Sequence, residues 1–336
     1  MRVLLFAAAA LAACGSETTT EQTLTGEPPI VIAHRGASGE RPEHTVPAFE
    51  IATARNADYL EPDVVMTKDG YLVVRHERYL STTTDVASRP DYADKKRLGV
   101  SNGEEREDWW VEDMTIGELR RLRAIQPREG RSKTFDKRYP PALLSEVLVV
   151  ASLNGVGAYP EMKEPHVFEE LGLDPEGALL AALSEQLFDR YKNPIDQPPA
   201  IIQSFDPDFL KSLSEKTEKP LVQLVYGVET DTGLQPNVSL DEIATYADGV
   251  GPAKSLIIGP DGKTTDFVKE AHALGLFVHA WTFRDDEAPA DGVDIETELQ
   301  RIYAAGVDGV FADFPQTAVD VRAGVFGLAE TGDAGE

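Results

Sequence analysis

The sequence predicts an α/β protein built as a closed (β/α)8 barrel, and three observations carry that prediction. Between Ile30 and Ala312, short apolar runs of strand type alternate with helix-like runs, and the strand runs number eight. A chain of 336 residues can bury a large core, and barrels of this class commonly form one domain near this length. Carboxylates, histidines and cations gather at the C-terminal ends of the strand runs, where such barrels carry their sites.

The first stretch, MRVLLFAAAALAAC, has Arg2, an apolar run from Val3 and small residues before Cys14. It reads as an export signal over residues 1–13, too short to span a bilayer. Leu11-Ala12-Ala13-Cys14 resembles a bacterial lipobox. The expectation is therefore a lipid anchor on Cys14 at the bacterial cell envelope, in the periplasm or on a membrane's outer face. An ordinary cleaved leader is the alternative. Cys14 is the only cysteine, so the mature chain has no internal disulfide. Residues 14–28 have almost no apolar content and read as a disordered tether. The barrel is expected over 29–322, with 323–336 as a C-terminal tail.

Ile30 to Ala33 is a short apolar run that ends in the polar cluster His34-Arg35-Gly36. Thr45 to Asn56 reads as a helix, with Val46, Phe49 and Ala52 on one face and Pro47 near its start. Tyr59 to Met66 and Tyr71 to Arg75 are strand-like and flank Asp69-Gly70, a strong hairpin signal. With Asp69-Gly70 as a two-residue loop, Val65 faces Val74, Asp63 faces His76 and Glu61 faces Arg78. Residues two apart on a strand share a face. Glu61, Asp63 and His76 are thus expected on one side of a hairpin excursion after the second strand. Two carboxylates so spaced can take one metal ion, and a histidine opposite could act on whatever that ion holds.

From Ser81 to Pro141 the periodicity is lost, and only Ile116 to Leu122 looks helical. This inserted segment reads equally as solvated surface or as a cap over a site. Beyond Ala142, strands are predicted at Gly155–Tyr159, Ala200–Gln203, Leu221–Tyr226, Asp248–Gly251, Leu276–Trp281 and Asp308–Ala312. Helices are predicted at Glu176–Arg190, Pro207–Ser214, Leu240–Tyr246, Thr265–Leu274 and Ile295–Ala304. The strand ends then present His34-Arg35, Glu61 with Asp63, Glu161 with Lys163, Gln203-Ser204-Phe205, Gln223, Trp281 and Asp313. His279 reads as a buried strand residue, and His166 and His272 receive no role.

As a set, His34-Arg35-Gly36, Pro42-Glu43-His44-Thr45, Glu61-Pro62-Asp63-Val64, Lys68-Asp69-Gly70 and Val73-Val74-Arg75-His76 resemble the glycerophosphodiester phosphodiesterases. Glu161-Met162-Lys163, Gln203-Ser204-Phe205-Asp206 and Asp313-Phe314-Pro315 extend the match, which runs to about Val319. The form PEHT and Thr84-Asp85-Val86-Ala87 look like the periplasmic bacterial branch. The resemblance implies a TIM-type barrel in which Glu61, Asp63 and Glu161 hold a divalent cation. Three carboxylates completed by water suit a hard cation, calcium or magnesium, and that branch is calcium-dependent. His34 and His76 are implied as general base and general acid, Arg35 and Lys163 as phosphate clamps, and Phe205 and Trp281 as walls of the glycerol end. The implied reaction starts with attack of the neighbouring glycerol hydroxyl on phosphorus and passes through a cyclic phosphate that water opens. Glu43 and His44 are expected to order the site without ligating the metal. Two positions depart from the family pattern: Glu77 follows His76 where an aspartate is usual, and Ser81 stands where an arginine is common.

Composition bounds the partners. Lys plus Arg number 32 against 58 for Asp plus Glu, a net charge of −26, which argues against nucleic acid and anionic membrane surfaces. A small anionic substrate remains compatible where Arg35, Lys163 and a metal ion outweigh the global field. Two other functions compete: a phosphodiesterase acting on lysophospholipids through a more open cap, and an inactive lipoprotein that binds glycerophosphodiesters. A pure binder has no need of two proton carriers, which weighs against the latter.

Overall fold

The computed structural model describes residues 21–328, apart from Thr232, Ala288, Ala290 and Asp291. Ile30–His34 (β1) is buried at Val31, Ile32 and Ala33, as a strand covered on both faces must be. It pairs in parallel with residues 59–66 (β2) on one side and Gly309–Ala312 (β8) on the other. The second pairing closes the barrel. Around the ring follow residues 157–162 (β3), Ile202–Ser204 (β4), Leu221–Val225 (β5), Gly249–Pro252 (β6) and Phe277–Phe283 (β7), each parallel to the next. Helices alternate with these staves and pack outside them, burying Phe49, Leu148, Leu210 and Ile302 against the sheet. The interior is filled by Ile32, Tyr159, Val222 and Phe311, so the barrel is a packed core with its site at one end.

Two staves are broken at prolines. Pro62 divides β2 into Tyr59–Glu61 and Asp63–Met66; Pro160 lies in the gap between Gly157–Ala158 and Glu161–Met162 of β3. Proline has no N–H to give the ladder, so pairing stops and resumes with a new direction. The lower halves pair through Leu60↔Ala158, the upper through Asp63↔Glu161. Neighbouring registers add His34↔Glu61 and Gln203↔Glu161. Five polar residues thus stand on adjacent rungs at one end of the barrel.

The hairpin register differs from expectation by one residue. Val64, not Val65, pairs with Val74, and Met66 pairs with Leu72. The Thr67 N–H donates to Tyr71 O at 3.0 Å, closing a three-residue loop, Lys68-Asp69-Gly70, with Gly70 at φ 83°. In this register Asp63 lies opposite Arg75, whose N–H donates to Asp63 O. His76 reaches the acidic residues because the paired strand ends at Val74 and the chain bends after it.

The insertion after the hairpin extends the barrel's hydrophobic core, with Val86, Tyr92, Met114 and Leu122 buried in it. It folds as an antiparallel pair, Arg97–Ser101 with Glu104–Asp108, then the helical turn Ile116–Leu119 with a Thr115–Glu118 capping box. Gln126 donates to Ser38 O at 3.0 Å in the loop after β1, so the segment reaches over the site end.

Other boundaries moved for local reasons. The helix expected over Glu176–Arg190 is Pro175–Ala182; beyond it the Asp189 carboxylate accepts from Tyr191 N and Asn193 N in a turn. Helix Pro315–Phe326 continues past the boundary set at 322. The signal segment and Cys14 lie outside the described residues. Of the segment expected as a tether, residues 21–28 are held in place: Glu21 N donates to Ala304 O, and Leu24 N donates to Asp308 Oδ1 just before β8.

Candidate active site

The strand ends build a cavity of 240 Å3 whose walls include His34, Arg35, Glu61, His76, Glu161 and Lys163. Glu61, Asp63 and Glu161 are all buried, and one oxygen from each lies within 4.8 Å of the others. Glu61 Oε2 accepts from the Arg35 backbone N–H at 2.7 Å. Asp63 Oδ2 accepts from His44 Nε2 at 2.9 Å, with Arg35 Nε 3.4 Å away. Lys163 Nζ lies 2.6 Å from Glu161 Oε1 and 3.8 Å from Asp63 Oδ1.

Crowded acids in a dry place resist ionisation. Burial, then the neighbouring carboxylates Asp63 and Glu161, raises the Glu61 pKa well above its usual range. Burial likewise takes Glu161 up to about 8, with Lys163 opposing. Burial would raise Asp63 too, but Lys163, His76, His44 and Arg35 together outweigh it and hold that carboxyl well below its usual range. A divalent cation among the three would remove the conflict. Asp63 Oδ1 and Gln203 Oε1 are buried there without a hydrogen-bond partner, and an all-oxygen donor set fits such an ion.

Each imidazole is fixed at Nδ1 by a carboxylate. His34 Nδ1 stands 2.6 Å from Asp313 Oδ1, and Arg35 Nε donates to His34 Nε2 at 3.2 Å. A guanidinium only donates, so Nε2 is the acceptor and Nδ1 carries the hydrogen. Burial, then the Arg35 charge, outweighs Asp313 and lowers the His34 pKa to about 4, leaving the ring neutral at pH 7. His76 Nδ1 bonds Glu77 Oε1 at 2.6 Å; burial, then Arg35 and Lys163, lowers its pKa against Asp63 and Glu77. On the opposite wall Trp281 Nε1 donates to Gly251 O at 2.7 Å, and the Trp281 and Phe205 rings meet edge to face at 5.8 Å.

The sequence and fold comparisons agree with this geometry. Residues 34–317 match the glycerophosphoryl diester phosphodiesterase family. The chain belongs to that family. A glycerophosphodiester phosphodiesterase of Haemophilus influenzae is 30% identical over 372 residues, covering 96% of this chain and 97% of that one. One from Bacillus subtilis is 29% identical over 303 residues, covering 88% and 87%. The solved structure of an Oleispira antarctica phosphodiesterase, in complex with its product sn-glycerol-3-phosphate, has the same fold. Its TM-score is 0.63 at 22% identity, covering 89% of this chain and 99% of that one. Membership makes the protein a phosphodiesterase, a hydrolase of phosphoric diesters.

The structure brings together every site residue expected from the phosphodiesterase sequence: His34, Arg35, Glu61, Asp63, His76, Glu161, Lys163, Phe205 and Trp281. Glu43 accepts from Arg35 Nη1 at 3.1 Å and His44 bonds Asp63, so both hold site residues in position. Glu77 still reaches His76 despite its extra methylene, and Ser81 N donates to Asp108 Oδ1 at 3.1 Å. Sequence reasoning assigned Asp313 only a place at a strand end; closure of β8 onto β1 makes it the partner of His34.

Arg131 was missed altogether. It comes from the aperiodic insertion, is buried, and donates through Nη2 to Asp313 Oδ2 at 2.5 Å, while Nε bonds Asp286 at 2.7 Å. Arg284 Nε adds a contact to the same Asp313 oxygen at 3.1 Å. Arg131 thus positions the group that orients His34. Arg131→Met should lower kcat by about 10- to 100-fold, the usual loss when an orienting partner is removed. KM should stay nearly constant and Arg131→Lys should recover part of kcat; steady-state kinetics of the two variants check this.

Proposed function

We propose that this phosphodiesterase hydrolyses glycerophosphodiesters to sn-glycerol 3-phosphate and an alcohol, with a divalent cation on Glu61, Asp63 and Glu161 and with His34 and His76 moving the protons. The observation that carries the reading is one cavity faced by two carboxylate-fixed imidazoles and three buried acidic groups. When bound, the ion supplies positive charge that stabilises the developing phosphoryl oxyanion and makes a nearby hydroxyl easier to ionise. We assign calcium, since the donors are hard oxygens and an exported protein meets that ion.

His34, hydrogenated at Nδ1 toward Asp313, takes the proton of the attacking glycerol hydroxyl at Nε2, whose lone pair is released as Arg35 Nε turns from it to the phosphate. His76 acts in its charged form: with Nδ1–H held by Glu77, it gives its Nε2 proton to the departing alcohol oxygen. Arg35 and Lys163 grip the non-bridging phosphate oxygens, and Trp281 with Phe205 walls the glycerol end. The cyclic phosphate so formed is opened by water, with the histidines exchanging roles. The product bound in the Oleispira relative supports the choice of substrate.

We further propose that Cys14 carries a lipid that holds the enzyme at the cell envelope. One assay tests both proposals: membrane and soluble fractions from cells making the intact chain or Cys14→Ser, offered glycerophosphocholine or lysophosphatidylcholine. Glycerol 3-phosphate should be released from glycerophosphocholine by the membrane fraction, and by the soluble fraction for Cys14→Ser. Preferred cleavage of lysophosphatidylcholine would establish the lipid-directed alternative. Turnover of neither substrate would leave only a binding role.

A further inference from the structure

Beside the reaction cavity lies a second one, of 560 Å3, and the two share His76, Glu161, Lys163 and Phe205 as a common wall. Its far side carries Asp206, Tyr226 and His166. The Phe205 and Tyr226 rings are tilted against each other with centroids 6.3 Å apart, and Tyr226 is 50% exposed, so its ring is open to a ligand. Lys163 Nζ already stands 5.4 Å from the Phe205 ring, which leaves Tyr226 to offer most of the aromatic surface.

Asp206 has one oxygen committed and one in reserve. Its Oδ1 caps the helix Pro207–Ser214, accepting from Asp208 N at 3.0 Å and Phe209 N at 3.1 Å. Its Oδ2 faces His166 Nδ1 at 3.6 Å, beyond hydrogen-bond reach. The neighbouring cations are engaged elsewhere. Arg78 bonds Glu112 and Glu164, and Lys163 bonds Glu161.

We propose that the second cavity receives the head group of the leaving alcohol and selects a cationic one, a quaternary or primary ammonium. The proposal rests on the hydrolysis described above and adds which diesters are favoured. A leaving alcohol must lie on the side of the residue that protonates it, and His76 forms the wall between the two cavities. Beyond that wall an ammonium meets the Asp206 carboxylate and the Tyr226 ring, both of which attract cations. An anionic head group meets the Asp206 carboxylate there and is repelled.

The test compares kcat/KM for glycerophosphocholine, glycerophosphoethanolamine and glycerophosphoglycerol. The two cationic diesters should be favoured over the third by about tenfold, the scale of one cation–aromatic contact with a nearby carboxylate. Asp206→Asn, which keeps the capping oxygen, and Tyr226→Ala should each bring that ratio toward one. Equal rates on all three substrates in the wild type, or variants that slow all three alike, would overturn the subsite. Calorimetry with choline alone reads the subsite without turnover. Binding that weakens in both variants supports it, and absence of binding overturns it, even if no diester is cleaved and the reaction itself is misassigned.

Discussion

His34→Ala should lower kcat by about 10²- to 10⁴-fold, the range for losing a positioned proton carrier, with cation affinity unchanged. The ring is not among the acidic groups that could hold an ion, so its removal leaves that triad whole. What is lost is an acceptor nitrogen kept neutral by burial and aimed by Asp313, which Arg131 and Arg284 hold in turn. Stopped assays for glycerol 3-phosphate, with calorimetric calcium titration of the same variant, decide the matter. Turnover close to the parent's would strip His34 of its role.

Glu61→Gln should have the second large effect, and it acts in opposite directions on the free and loaded protein. Without a cation, three carboxylates share a dry site, and Glu61 bears a raised pKa from burial and from its two acidic neighbours. A carboxyl whose pKa is raised by folding destabilises the folded state once it ionises, so the penalty grows as pH rises through the unfolded pKa toward the folded one. The amide removes that charge while its oxygen can still accept from Arg35 N, so the cation-free variant should melt at a higher temperature than its parent. Calcium affinity and calcium-stimulated turnover should fall by at least the roughly 10- to 100-fold that loss of an outer partner costs. The rise in melting temperature on adding calcium should shrink accordingly. Melting curves with and without calcium check both signs at once; an undiminished calcium response would remove Glu61 from the ligand set.

The eight staves were legible because parallel strands covered on both faces read as apolar runs, as at Ile30–Ala33 and Gly309–Ala312. Their ends were legible because His34, Lys163 and Asp313 interrupt those runs with polar groups. Register was not. Asp69-Gly70 matched a two-residue loop, but Thr67 closes a three-residue one through Tyr71, so the hairpin forms as expected with its pairing shifted by one residue. The grouping of Glu61, Asp63 and His76 arose by another route, through the break at Pro62 and the bend after Val74. Partners distant in sequence were hidden for a different reason. Nothing local marks Arg131 as a contact of Asp313, because the insertion lacks the periodicity that would place it, and only ring closure sets Asp313 beside His34.

Leu24 is fastened to Asp308 at the floor of the barrel, while His34 and His76 stand at the opposite rim. On the proposed lipidation of Cys14, the attachment enters the described chain at the floor, so the mouth lies at the end remote from it. On the same proposal, a dissolved diester reaches the mouth more readily than a lipid lying in the leaflet.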